Sequence, residues 1–95
     1  LIDYSDPKIN VLSVDRVSEK YTIVNTQLIA TDKKPAVKID WRIYTKNPEN
    51  PLIRDLIVEG LSLARTQKEE FASILSSNNN DINVLFLKLE EFVNQ

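Results

Sequence analysis

Residues 37–44, VKIDWRIY, alternate apolar and polar without a fault. Val37, Ile39, Trp41 and Ile43 point to one side of an extended chain, and Lys38, Asp40, Arg42 and Tyr44 to the other. That period of two predicts a half-buried antiparallel strand with one wet face, spanning Ala36–Thr45. Tyr21–Ala30 predicts a second strand. Its face carrying Val24, Leu28 and Ala30 is the better interior candidate, because Asn25 and Gln27 interrupt the face of Tyr21, Ile23 and Ile29. Ile9–Val17, rich in β-branched residues, predicts a strand before it, after a loose lead-in over Leu1–Pro7. Leu52–Glu59 predicts a fourth, with the run Leu56, Ile57, Val58 implying that both faces are locally covered.

The breaks between these runs are polar or conformationally special. Ser18–Lys20 and Thr31–Lys34 supply turns, and Pro35 fits the first position of the strand that follows. Asn47-Pro48-Glu49-Asn50-Pro51 forms a connecting loop. Gly60, the single glycine, ends the fourth strand, where it can take a positive φ or admit a close neighbour.

After Gly60 the period changes to that of a helix. Ser62 is a predicted N-cap, and Ala64, Gln67, Phe71, Ile74 and Leu75 fall on one stripe, with Arg65 and Glu69 as i,i+4 partners outside it. Ser76–Asn80 ends this helix, and Asn80 or Asp81 caps another whose stripe is Ile82, Leu85, Leu89 and Phe92, with Phe86 and Val93 beside it. Four strands in a run followed by two helices predict an α+β fold: an antiparallel four-stranded sheet with two C-terminal helices, cystatin- or NTF2-like in layout. The 95 residues suffice for a single domain, 1–95, with a modest core.

Composition narrows the chemistry. Twelve Lys and Arg are scattered among fourteen acidic residues, for a net charge of −2, which argues against a nucleic-acid surface. No cysteine or histidine is present, so disulfides, thiol nucleophiles, imidazole bases and the usual transition-metal ligands are excluded. One glycine cannot build a phosphate-cradling loop, and nothing calls for a cofactor. No apolar run reaches the ~18–20 residues of a transmembrane segment. Asn78-Asn79-Asn80-Asp81 lacks the alternating acids and distal Glu of a calcium loop and reads as helix termination and capping.

Asp40 and Asp55, on adjacent predicted strands, are the candidates for carboxylate chemistry. A lone carboxylate signals catalysis weakly. Asp40 reads as a wet-face charge flanked by Arg42, and Asp55 sits between Arg54 and an apolar run. Trp41, with Val37, Ile39 and Ile43, makes a broad apolar face. A filled core and the wall of an apolar cavity call for the same residues there.

Two stretches carry a resemblance. VNTQLIATDKKPAVKIDWRIY is similar to the paired strands of the MlaC, or toluene-tolerance, family. RDLIVEGLSLARTQKEEFASIL resembles that family's strand, Val-Glu-Gly turn and following helix, with Asp55, Val58, Glu59, Gly60, Ser62, Leu63, Phe71 and Ile74 as the matching positions. The segment 47–51 departs from the shorter, glycine-containing turn of the family. The resemblance implies a non-enzymatic periplasmic carrier that holds a phospholipid by its tails between a twisted sheet and helices. It implies exchange with an inner-membrane ABC transporter bearing an MCE-domain subunit and with an outer-membrane lipoprotein complex. It also implies that this chain, which starts at Leu1, is the C-terminal portion of a longer product whose N-terminal half is helical. Tail contact then falls to Val37, Ile39, Trp41, Ile43, Leu56 and Val58. The residues alone leave two other readings: an interaction module that dimerises through an uncovered apolar face, and a small NTF2-like enzyme using Asp40 or Asp55.

Overall fold

The computed structural model of the chain describes residues 8–29 and 36–77, together with Leu87, Leu89 and Glu91, which are helical. The lead-in over 1–7, Ala30, the turn at 31–34, Pro35, the asparagine run at 78–80 and the capping of the last helix lie outside the described residues. So does that helix's stripe apart from Leu89.

Strands β1 (Lys8–Arg16), β2 (Tyr21–Ile29), β3 (Val37–Tyr44) and β4 (Leu52–Val58) form an antiparallel meander, and the two-residue β5 (Leu61–Ser62) adds a fifth strand at its end. Helices α1 (Leu63–Thr66) and α2 (Lys68–Ser77) follow. The α+β layout is the expected one, with a fifth strand where four were predicted.

That short strand follows from the turn before it. Glu59 (φ 50°) and Gly60 (φ 82°) both take positive φ, the signature of a two-residue hairpin turn whose twist matches its strands. Val58 then pairs with Leu61 and Ile57 with Ser62. The left-handed conformation is unfavourable for Glu59. Two hydrogen bonds hold it there: its N–H donates to the Lys38 carbonyl (2.9 Å) and its Oε1 accepts the Lys38 N–H (2.8 Å). Gly60 therefore turns the strand back on itself rather than merely ending it.

The predicted helix is divided. Gln67 closes α1 at φ −128°, ψ 40°, outside helical values, and α2 restarts at Lys68. Arg65 and Glu69 sit on either side of this break, and no ion pair joins them among the described residues. The apolar stripe survives it: Phe71 and Ile74 are buried, with Ala64 and Leu75 packed beside them. The core lies between one sheet face and the helices, built from Leu28, Val37, Ile39, Trp41, Leu56 and Val58 below and Leu63, Phe71, Ile74 and Leu89 above.

Candidate functional site

Register aligns the apolar face of the sheet into rows. Ile9 stands opposite Leu28, which stands opposite Val37. Val11, Thr26, Ile39 and Val58 make a second row, and Val14, Val24, Trp41 and Leu56 a third. Along each row burial rises from β1 towards β4. Val11 is 62% exposed, whereas Thr26, Ile39 and Val58 are 1–2% exposed. Ile9 (38%) and Val14 (62%) repeat the contrast. Among the described residues the helices pack at β4 and share a core with β3, while β1 stays exposed, so one continuous apolar face is half core and half open surface.

The covered half is closely held. Thr26, at the centre of the sheet, donates its hydroxyl to the Ile39 carbonyl (2.7 Å) and accepts the Trp41 indole N–H (3.0 Å). A buried tryptophan needs an acceptor for that N–H, and Thr26 supplies it while fixing the ring against Leu56. Of the six residues expected to touch lipid tails, Val37, Ile39, Trp41, Leu56 and Val58 are buried in the core, and Ile43 is half-buried beside it.

Next to Ile43 the packing loosens. Ile43 stands opposite Ile53. Leu52, Ile53 and Arg54 of β4, with Ala72, Leu75 and Ser76 of α2, line an open groove of about 370 Å³. Leu52, Ile53, Ala72 and Leu75 give it apolar walls, Arg54 and Ser76 add polar groups, and its volume lies at the small end of the ~300–1,000 Å³ usual for ligand sites.

The opposite face of the sheet is polar along β3, as the alternation predicted, but on that strand Lys38 is exposed while Asp40, Arg42 and Tyr44 are half-buried, and ring contacts order it. The Arg42 guanidinium lies 4.2 Å over the Tyr21 ring, Tyr21 meets Tyr44 edge to face at 5.5 Å, and Arg54 lies 5.2 Å over Tyr44. Asp40 stands opposite Ile57 on this side. It is half-buried, and its Oδ1 is enclosed without a hydrogen-bond partner among the described residues, so it is less solvated than its alternation implied.

Asp55 is buried, with a structural use for both oxygens. Oδ2 accepts the Ser62 hydroxyl proton, and Oδ1 accepts the Ala64 N–H at 2.9 Å. Ser62 in turn accepts the Arg65 N–H at 3.1 Å, the N-cap bond predicted for it. Asp55 thus brackets β4 to the start of α1, where unpaired N–H groups favour a carboxylate.

The open half of the face was not singled out from the sequence. β1 carries a bulge between Val11 and Ser13, with Leu12 as the extra residue. The bulge shifts the alternation by one, so that Ile9, Val11 and Val14 share a face although their numbers do not share a parity. The clue was the spacing itself: three β-branched residues at 9, 11 and 14 fit a single face only if the strand is bulged.

Comparison with protein families finds the MlaC protein family model matching residues 1–91. Comparison with curated proteins and with solved structures finds no match. The chain belongs to the MlaC family. Membership implies a phospholipid-binding component of periplasmic lipid transport, in a family of carriers that is generally non-enzymatic. Among the described residues no helix is long and apolar enough to cross a membrane.

Proposed function

We propose that this MlaC-family chain is a periplasmic phospholipid carrier whose ligand rests its acyl tails on the apolar sheet face that α1 and α2 leave open. The observation that carries this reading is the burial gradient from β4 to β1. Ile9, Val11 and Val14 are an uninterrupted extension of the core face, yet Val11 and Val14 remain largely in water and Ile9 partly so. Covering such surface with lipid gains about 25 cal/mol per Å² of apolar area.

The tails meet this open strip first, together with Ile43 and the groove at Ile53 and Leu75. Val37, Ile39, Trp41, Leu56 and Val58 form the floor beneath the helices, which tails reach if the helical layer lifts. Arg54 at the rim of the groove suits the phosphate of a headgroup left near solvent. In this reading the chain is a single domain and forms the C-terminal portion of a carrier. The carrier is loaded and unloaded by an ABC transporter with an MCE-domain subunit and by an outer-membrane lipoprotein complex.

Mass spectrometry of an organic extract, from chain purified after periplasmic export, tests the reading. The expected result is phospholipid in stoichiometric amount, lost in a Val11→Asp, Val14→Asp variant that keeps its circular dichroism. A chain that carries no phospholipid and takes none up from vesicles would sink it.

A further inference from the structure

β1 is the outermost strand of the sheet, and its outer backbone edge faces no other strand among the described residues. Proteins usually blunt such an edge with short length, proline or central charges. β1 has nine residues, no proline, and no charge between Lys8 and Asp15. Val11, Leu12 and Val14 on it are more than half exposed.

Its side-chain pattern is complementary to itself. Laid antiparallel against a copy about a two-fold axis between Val11 and Leu12, Lys8 stands opposite Asp15, Ile9 opposite Val14, Asn10 opposite Ser13 and Val11 opposite Leu12. Residues opposite each other in an antiparallel pair must lie on the same face of the sheet. In a regular strand this register is forbidden, because it would pair even positions with odd ones. The bulge at Leu12 makes it admissible. Ile9 and Val14 share the apolar face, while Lys8, Asn10, Ser13 and Asp15 share the wet one. The two bulges meet at the axis and cancel in count. Ser13 and Asn25 each donate to the Asp15 carboxylate at 3.1 Å, holding it on the wet face, and Lys8 makes no ion pair among the described residues.

We infer that two copies of this chain pair through β1, edge to edge and antiparallel, with Lys8 opposite Asp15 of the second copy. The interface is isologous, and each contact occurs twice. The sheet becomes continuous across the axis, and the two open strips of Ile9, Val11 and Val14 lie side by side on one face. The pairing rests on strand chemistry alone and stands whether or not the strips hold lipid.

Sedimentation of the purified chain across a concentration series, with lipid content measured on the same samples, reads the association. A concentration-dependent dimer is expected. Lys8→Glu and Asp15→Lys, each placing like charges opposite at two symmetric positions, should each weaken it about tenfold. An equimolar mixture of the two variants should recover it, since every pair across that heterodimer is again opposite in charge. Among the described residues the Lys8 side chain makes no hydrogen bond or ion pair, so Lys8→Glu separates association from folding. Because the chain has no cysteine, mixed Asn10→Cys and Ser13→Cys variants report the register directly: they should oxidise to a cross-linked heterodimer faster than either forms a homodimer. A monomer at all concentrations, a dimer indifferent to Lys8→Glu, or cross-linking without preference for the mixed pair would each overturn the inference.

Discussion

Strands β3 and β1 carry apolar side chains onto the same face of one sheet, two strands apart, and meet opposite surroundings. Ile39 is 1% exposed, while Val11, two places along the same row, is 62% exposed. Composition does not separate them, since both strands are β-branched and amphipathic. The difference comes from connectivity. β4 turns through Glu59 and Gly60 straight into β5 and α1, and the Asp55–Ser62–Ala64 bracket pins α1 beside β4. The helical layer is therefore anchored over the far end of the meander, and among the described residues the strand at the other end goes without cover. Amphipathicity states which face of a strand is apolar; the point where the helices are tied states which part of that face becomes core.

The sharpest way to break the contrast is to cut into its buried half. Ile39→Ala removes a fully enclosed side chain from the sheet centre and should cost about 2–5 kcal/mol in urea denaturation. A loss under about 1 kcal/mol would mean that the helical layer is not packed on β3. Thr26→Val comes next. It deprives the Trp41 indole N–H of its acceptor and should cost about 1–3 kcal/mol, as a buried donor does when it loses its partner. The fluorescence of the sole tryptophan would report whether the ring stays in place.

Those two residues also mark how far the chain could be read in advance. The faultless alternation of 37–44 announces the buried face of β3, and the interruptions at Asn25 and Gln27 announce that of β2. In both cases one period reports one environment. Thr26 passed unremarked because its role depends on cross-strand register with Ile39 and on the neighbouring Trp41, and neither is a local property. The break at Gln67 likewise leaves no mark in a stripe that continues from Ala64 to Phe71. β5 was hidden because two residues are too few to show a period. At the site, the expected tail-contacting residues are the apolar face of the sheet, but exposure depends on where the helices end up.

Loosening the anchor tests that dependence with a smaller effect. Ser62→Ala deletes the N-cap acceptor for Arg65 N–H and a donor to Asp55, and should cost about 0.5–2 kcal/mol. If the bracket is what keeps the helices over β4, hydrogen exchange should quicken in α1 and β5 and leave the β1–β2 ladder unchanged. Uniform acceleration would mean that the cap supports global stability only.

The smallest effect discriminates best between the two halves. Val→Thr keeps size and β-branching and changes one methyl to a hydroxyl, so it isolates the cost of placing a polar group at a site. At Val37, 5% exposed, the hydroxyl enters the core and should cost about 1–3 kcal/mol. At Val11 it meets water, and the change should stay within about 0.5 kcal/mol. Lipid reverses the ranking. A strip that carries acyl tails loses affinity when Val11 becomes polar, although the fold does not register it. Val11→Thr should therefore lower phospholipid recovery and leave the urea midpoint in place, while Val37→Thr should move the midpoint. If Val11→Thr shifts the midpoint as far as Val37→Thr in lipid-free protein, β1 is covered in solution and the open half of the face does not exist. If it changes neither midpoint nor lipid, the strip is open but not where the tails lie, and the groove at Ile53 and Leu75 becomes the place to look.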